Sequence, residues 1–137
     1  MRPLLVVLAT LGLTACGPSP AEQADVCAIF ALPGVPGDSQ VGDAGDLAWA
    51  ASRERALFAS GVVYAPPWRL TGDTRSWGRC PVRAEPIEML LVSPDRAYAM
   101  TKGGRRAGGK PKTFGDCFYD RTESGWRLRA CRLKAGL

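Results

Sequence analysis

The chain has 137 residues, 46% of them hydrophobic, with 18 Lys and Arg against 13 Asp and Glu and a net charge of +5. That length suits one domain with a small core. There is no histidine, which excludes Ser-His-Asp and Cys-His nucleophile arrangements, His-ligated zinc and the commonest general base near neutral pH.

The first predicted element does not belong to the fold. Residues 3–13, "PLLVVLATLGL", form an apolar run behind the single cation Arg2, about half the ~20 residues a membrane-spanning helix needs. A charged start, a short apolar stretch and small residues before a cut point are the marks of a secretory signal. The run closes on "LTAC", residues 13–16, which resembles the lipobox of bacterial lipoproteins: an aliphatic residue, two small residues, then cysteine. The resemblance implies cleavage between Ala15 and Cys16, diacylation of the Cys16 sulfur and a further acyl chain on the new amino terminus. Residues 1–15 are then signal peptide, and residues 16–137 form a single lipid-anchored periplasmic domain. Two acyl chains already suffice for stable attachment. Gly17 stands where enterobacterial members retained in the inner membrane carry Asp, so the resemblance points to the outer membrane, facing the periplasm.

The first helix is predicted from Ser19 to about Leu32. Ser19 is the cap, Pro20 fills the first helical position, and Glu22 stands three residues after the cap. Pro33 ends it, and "PGVPGDSQVGDAG" is a loop by composition. Its carboxylates Asp38, Asp43 and Asp46 lack the spacing of a known calcium loop. A second helix is predicted from Asp46 as its cap to Gly61, with apolar residues at 47, 50, 51, 57 and 58 on its inner side.

Extended segments follow: "VVYA" at 62–65, "IEMLLV" at 87–92, "RAYAM" at 96–100 and a C-terminal hairpin, with "SPD" as a tight turn between the second and third. Within "FGDCFYDRTESGWRLRACRL", "ESG" reads as a three-residue hairpin loop that pairs Thr122 with Trp126. That register sets Cys117 opposite Cys131, Asp116 opposite Arg132 and Phe118 opposite Ala130, with Trp126 and Leu128 on the Phe118 side. A cross-strand Cys117–Cys131 disulfide follows. With Cys16 assigned to lipid, Cys27 is left to pair with Cys80, as suits an oxidising compartment. The expected fold is α+β: two N-terminal helices packed on one face of an antiparallel β-meander, stapled by two disulfides.

Charge and aromatic residues mark the candidate binding segments. Residues 16–68 hold six acidic and two basic side chains, whereas residues 69–137 hold seven acidic and fifteen basic. Such asymmetry predicts a basic face for an anionic partner. In an exported lipoprotein that partner is anionic lipid, lipopolysaccharide or an acidic envelope protein, with no nucleic acid expected. "TKGGRRAGGKPK", residues 101–112, concentrates five cations, Lys102, Arg105, Arg106, Lys110 and Lys112, with no acid, and is the predicted anionic-surface segment. "YAPPWRLTGDTRSW" offers Tyr64, Trp68 and Trp77 as partner contacts. Glu85 and Glu88 flank Pro86 at an odd spacing, which turns them to opposite faces of an extended segment and argues against a paired-carboxylate hydrolase. No catalytic residue, cofactor or metal is expected.

"SGVVY" at 60–64 and "YAMTKG" at 98–103 resemble the two short motifs of the periplasmic and membrane-bound inhibitors of animal-type lysozyme. Members of that family are small disulfide-stapled β-barrels and often lipoproteins. The resemblance implies Ser60, Tyr64 and Lys102 as contacts to the lysozyme active-site carboxylates. A non-enzymatic envelope binding module is therefore the leading expectation, and an inhibitor of a secreted hydrolase the alternative.

Overall fold

The computed structural model describes residues 18–32, 40–66, 69–78, 80, 87–103 and 115–132. The signal segment and Cys16 lie outside them. Helix α1, Pro20–Ala31, opens on the predicted capping box: the Ser19 hydroxyl accepts from the Glu22 N–H at 3.2 Å, and the Glu22 carboxylate accepts from the Ser19 N–H at 2.9 Å. Helix α2, Ala44–Ser60, begins earlier than predicted. Its cap is Asp43, which accepts from the Asp46 N–H at 2.8 Å, while Asp46 accepts from the Asp43 N–H at 3.2 Å. Asp46 is thus the return arm of a second capping box. Each cap contributes about 1 kcal/mol. Gly61 ends α2 by donating its N–H to the Leu57 carbonyl at 2.7 Å, and a Cβ there would lie 2.5 Å from that oxygen.

Six strands form one mixed sheet: β1 Val62–Ala65, β2 Arg75–Ser76, β3 Ile87–Val92, β4 Tyr98–Gly103, β5 Asp116–Thr122 and β6 Gly125–Arg132, in the order β2-β1-β3-β4-β5-β6. Strands β1, β3, β4, β5 and β6 pair antiparallel, but β2 lies parallel to β1. The expected all-antiparallel meander is corrected at that point. The chain leaving Ala65 loops back before entering β2, and the next residues are drawn under α1. Trp77 meets Phe30 edge-on at 5.1 Å, and Cys80 is bonded to Cys27.

The two helices cover opposite faces of the sheet, not one face as expected. Helix α1 buries Val26, Ile29 and Phe30 against Tyr64, Leu90, Val92, Ala99, Tyr119 and Trp126. Helix α2 buries Ala50 and Leu57 against Leu91, Met100, Phe118 and Ala130. Consecutive apolar residues in the strands, such as Leu90, Leu91 and Val92, explain this, because alternate side chains point to opposite faces and both faces need a cover. The predicted inner side of α2 narrows accordingly: Ala50 and Leu57 are buried, whereas Ala51 and Phe58 face solvent.

The C-terminal hairpin keeps the predicted register at its open end and loses it at its tip. Asp116 pairs with Arg132, Cys117 with Cys131 and Phe118 with Ala130, but Tyr119 pairs with Leu128 and Thr122 with Gly125. The turn is therefore the two residues Glu123 and Ser124, and Gly125 takes the left-handed φ of 115°. Arg129 is the extra residue between the two registers, a β-bulge. One added residue reverses the alternation, so Trp126 and Leu128 join the α1 side while Ala130 remains on the α2 side. Both expected disulfides form, Cys27–Cys80 and Cys117–Cys131, with sequence separations of 53 and 14.

Candidate functional site

Two polar regions sit at the two ends of β4. The first is built around Asp25, a carboxylate only 4% exposed in the middle of the apolar face of α1. Arg96 Nε donates to its Oδ2, while Arg121 Nη1 at 3.0 Å and Trp126 Nε1 at 3.1 Å donate to its Oδ1. Burial pushes the Asp25 carboxyl up, but the hydrogen bonds from Arg96 and Trp126 and the charges of both guanidiniums outweigh it and hold it below the ordinary range.

The turn before β4 aims Arg96 at this carboxylate. Arg96 has a left-handed φ of 59°, and its N–H donates to the Ser93 carbonyl at 2.8 Å. The buried Ser93 hydroxyl accepts from the Ala97 and Tyr98 N–H groups at 3.0 and 3.1 Å and lies 2.6 Å from Asp95, which it holds below the carboxylate range. A non-glycine residue in that backbone region costs about 1–2 kcal/mol. Here it places a guanidinium where glycine would leave Asp25 with one cation fewer.

Beside Asp25 a cleft of about 70 Å³ is lined by Glu22, Asp25, Val62, Tyr64, Val92, Ser93, Pro94 and Arg96. That volume has room for a few water molecules. Glu22 is ion-paired with Arg75 and lines the cleft beside the buried Tyr64. Burial, followed by the Glu22 charge, pushes the Tyr64 phenol up to about 12. A tyrosine so placed holds its proton, and both carboxylates in the cleft already face guanidiniums. The chemistry of this region is structural.

The second region lies at the far end of β4. Lys102 Nζ stands 5.4 Å from the centre of the Phe58 ring, and Phe58 is 55% exposed. Lys102 pairs with Met89, and the neighbouring Glu88 meets Arg69 at 3.7 Å, both of that pair being largely solvent-exposed. Arg69 precedes Leu70, which is 48% exposed. Phe58 and Leu70 are the exposed large hydrophobic residues among those described. Both stand next to a cation at the end of the sheet where the segment predicted to be basic begins.

The sequence candidates separate on this frame. Tyr64 and Trp77, read as partner contacts, are core residues on the α1 side, 3% and 4% exposed. Their correction has a simple cause: the small core needs large rings under α1, and the irregular chain around them is folded against that helix. Trp68, Arg105, Arg106, Lys110 and Lys112 lie outside the described residues, as does Cys16. Lys102 is on the α2 side with Phe58, whereas Tyr64 packs on the α1 side and Ser60 bonds to its own helix through the Ala56 carbonyl. The three residues of the lysozyme-inhibitor motifs are therefore not brought together. Asp43 and Asp46 serve as the α2 cap, and Asp46 is held below the carboxylate range by Arg129 at 2.9 Å. Among the described residues there is no cluster that could hold a metal ion, and no helix is long and apolar enough to cross a membrane.

Sequence reasoning missed Asp25, Arg96, Phe58, Arg69 and Leu70. Asp25 had a signal: it lies four residues before Ile29 and one before Val26, on the helical stripe that must face the core. A carboxylate on such a stripe requires buried donors. Phe58 and Leu70 had none, since an apolar residue is read as buried unless the fold shows otherwise. Comparison with known proteins gives no match to a family model, a curated protein or a solved structure.

Proposed function

We propose that this chain is a lipid-anchored, non-enzymatic protein of the bacterial cell envelope, a binding module that meets an anionic partner through the end of the sheet carrying Lys102. The observation that carries the reading is the pairing of two cations, the half-buried Lys102 and the exposed Arg69, with the exposed apolar side chains Phe58 and Leu70. The sequence continues the charge through Arg105, Arg106, Lys110 and Lys112. Two disulfides fit an oxidising compartment. The α1 cap at Ser19 fits an anchor at Cys16, because only a short tether separates the two. Outer-membrane attachment facing the periplasm follows from Gly17 at the sorting position.

The test is metabolic labelling with palmitate followed by membrane fractionation. The wild-type chain is expected to take up label and to stay with membranes in high salt. Cys16→Ser is expected to abolish labelling and to leave an uncleaved or salt-extractable form. An unlabelled wild-type chain that washes off in salt refutes the lipoprotein reading.

A further inference from the structure

We propose that Trp49, Arg53, Tyr98 and Arg129 form a docking site for one carboxylate of a protein partner, with Arg53 as the group that receives it. The site lies on the α2 side of the sheet, at the opposite end of β4 from Lys102. It goes beyond the proposed function, because it needs neither the acyl anchor nor the basic segment. Its residues are joined by contacts throughout. The Arg53 guanidinium stands 4.7 Å from the centre of the Tyr98 ring and 6.0 Å from that of Trp49, and Arg129 lies 4.2 Å over the same indole. Arg129 also reaches Asp46 at 2.9 Å and Asp120 at 3.7 Å, while Asp120 accepts from Arg127 at 3.0 and 2.7 Å. Trp49, Arg53 and Tyr98 are half-buried, so the cluster is open to solvent.

What sets Arg53 apart is an unpaired charge. Arg127 and Arg129 face Asp120 and Asp46, whereas among the described residues Arg53 forms no ion pair and no hydrogen bond, and its Nε is buried without a partner. Asp95 feels its charge but is held by the Ser93 hydroxyl at 2.6 Å and the Ala97 N–H at 3.2 Å. The two rings are therefore what supports the guanidinium, by cation–π contact that leaves its Nη groups unbonded. Held in this way, its planar fork suits a carboxylate with little ordering left to do. Trp, Tyr and Arg are also the side chains that anchor protein interfaces. The surrounding acids decide the ligand. A polyanion or an anionic membrane would bring several negative charges against Asp46, Asp95 and Asp120, whereas a single Asp or Glu side chain meets one unpaired cation, with the exposed Arg127–Asp120 pair as a polar rim. The helix that the anchor would precede, α1, covers the opposite face.

The experiment uses the full chain in a nonionic detergent, isotope-labelled in arginine and tryptophan for NMR. The buried Nε–H of Arg53 is assigned by its loss in Arg53→Lys. Titration with capped glutamate is expected to shift the Arg53 Nε–H and Trp49 indole signals saturably, with capped glutamine shifting neither and inorganic phosphate shifting them less. Read at Trp49, Arg53→Gln should weaken this binding roughly tenfold or more. Arg127→Gln removes the same charge from the same face and should change it by less than about threefold, and both variants should keep the thermal unfolding midpoint. In isolated envelopes Arg53→Lys puts an amine in the same place, and a carbodiimide is expected to join it to an Asp or Glu of another protein, located by peptide mass spectrometry. A link to Asp95 of the same chain shows that the fold neutralises this charge itself and overturns the site. A link to a second copy, with dimers in sedimentation, overturns the separate partner in favour of self-association. No shift with glutamate, or equal losses in Arg53→Gln and Arg127→Gln, overturns the site as well, and a larger response to phosphate overturns the carboxylate.

Discussion

At the start of β4, Arg96 turns inward through a left-handed backbone to meet a buried carboxylate, whereas near the end of the same strand Lys102 lies over a ring that faces solvent. The chemical ingredients are alike, a cation and an aromatic group in each case, since Arg121 also lies 5.6 Å over Trp126 beside Asp25. What separates them is whether an anion is supplied from within. Around Asp25 the fold provides the carboxylate, and the guanidiniums are satisfied by it. Near Lys102 the carboxylate of Glu88, next to its strand partner Met89, meets Arg69 across an exposed and weak contact. A region that neutralises its own charge holds the fold together; one that leaves cations and apolar surface outward is available to a partner.

The largest perturbation expected is on the closed side. Replacing Cys27 and Cys80 together by Ser should lower stability by about 4 kcal/mol in the chain-entropy model, since that bond closes a loop over a separation of 53 residues. Gln23 Nε2, which donates to the two sulfurs at 2.9 and 3.0 Å, keeps a serine hydroxyl to donate to in this variant, so the loss reports the covalent link. Urea unfolding followed by far-ultraviolet circular dichroism measures the loss, and a change below about 1 kcal/mol would show that burial of Trp77 alone fixes the segment after β2.

Next in size is Asp25→Ala, expected to destabilise by about 3 kcal/mol, because it leaves two guanidiniums and an indole N–H facing a vacated carboxylate site. The pH dependence has a definite sign. The folded pKa of Asp25 is depressed, so its contribution is fully present above the unfolded value of about 3.9 and is lost as pH falls through the folded value. Stability measured between pH 7 and pH 2 should therefore fall at the acid end in the wild type and fall less steeply in Asp25→Asn. Parallel acid limbs would mean that the ion pairs around Asp25 contribute nothing.

The smallest stability effect belongs to the open end. Phe58→Ser and Lys102→Ser should each stay within about 0.5 kcal/mol of the wild type in the same unfolding assay, as exposed substitutions do. A loss of 2 kcal/mol or more for either would move this end into the structural class and erase the contrast with Asp25.

Much of the backbone plan was legible from residue order. The Ser19–Glu22 box, Pro20 and the terminating Gly61 mark helix ends because capping is settled within one turn of chain. The pairing of Cys117 with Cys131 was legible too, by counting across a short hairpin, and it held even though the count was made through the wrong turn. An extra residue at the turn was predicted; the extra residue is at Arg129. The two displacements give the same register beyond the bulge and opposite faces before it.

Local chemistry thus determined where α1 starts and where α2 stops, that strands other than β2 exist and which cysteines meet, since each depends on neighbours in sequence or on simple elimination. Tertiary structure alone decided that α1 and α2 lie on opposite faces, that β2 runs parallel to β1, and that Tyr64 and Trp77 are core while Phe58 and Leu70 are not. The bulge was decided there as well. Arg129, freed from the alternation, reaches Asp46 at 2.9 Å and stacks 4.2 Å over Trp49 on α2, contacts 83 and 80 residues away in the chain. A period of two fixes which side chains share a face, but which helix covers that face depends on segments far apart in sequence, and those energies exist only once the chain is folded.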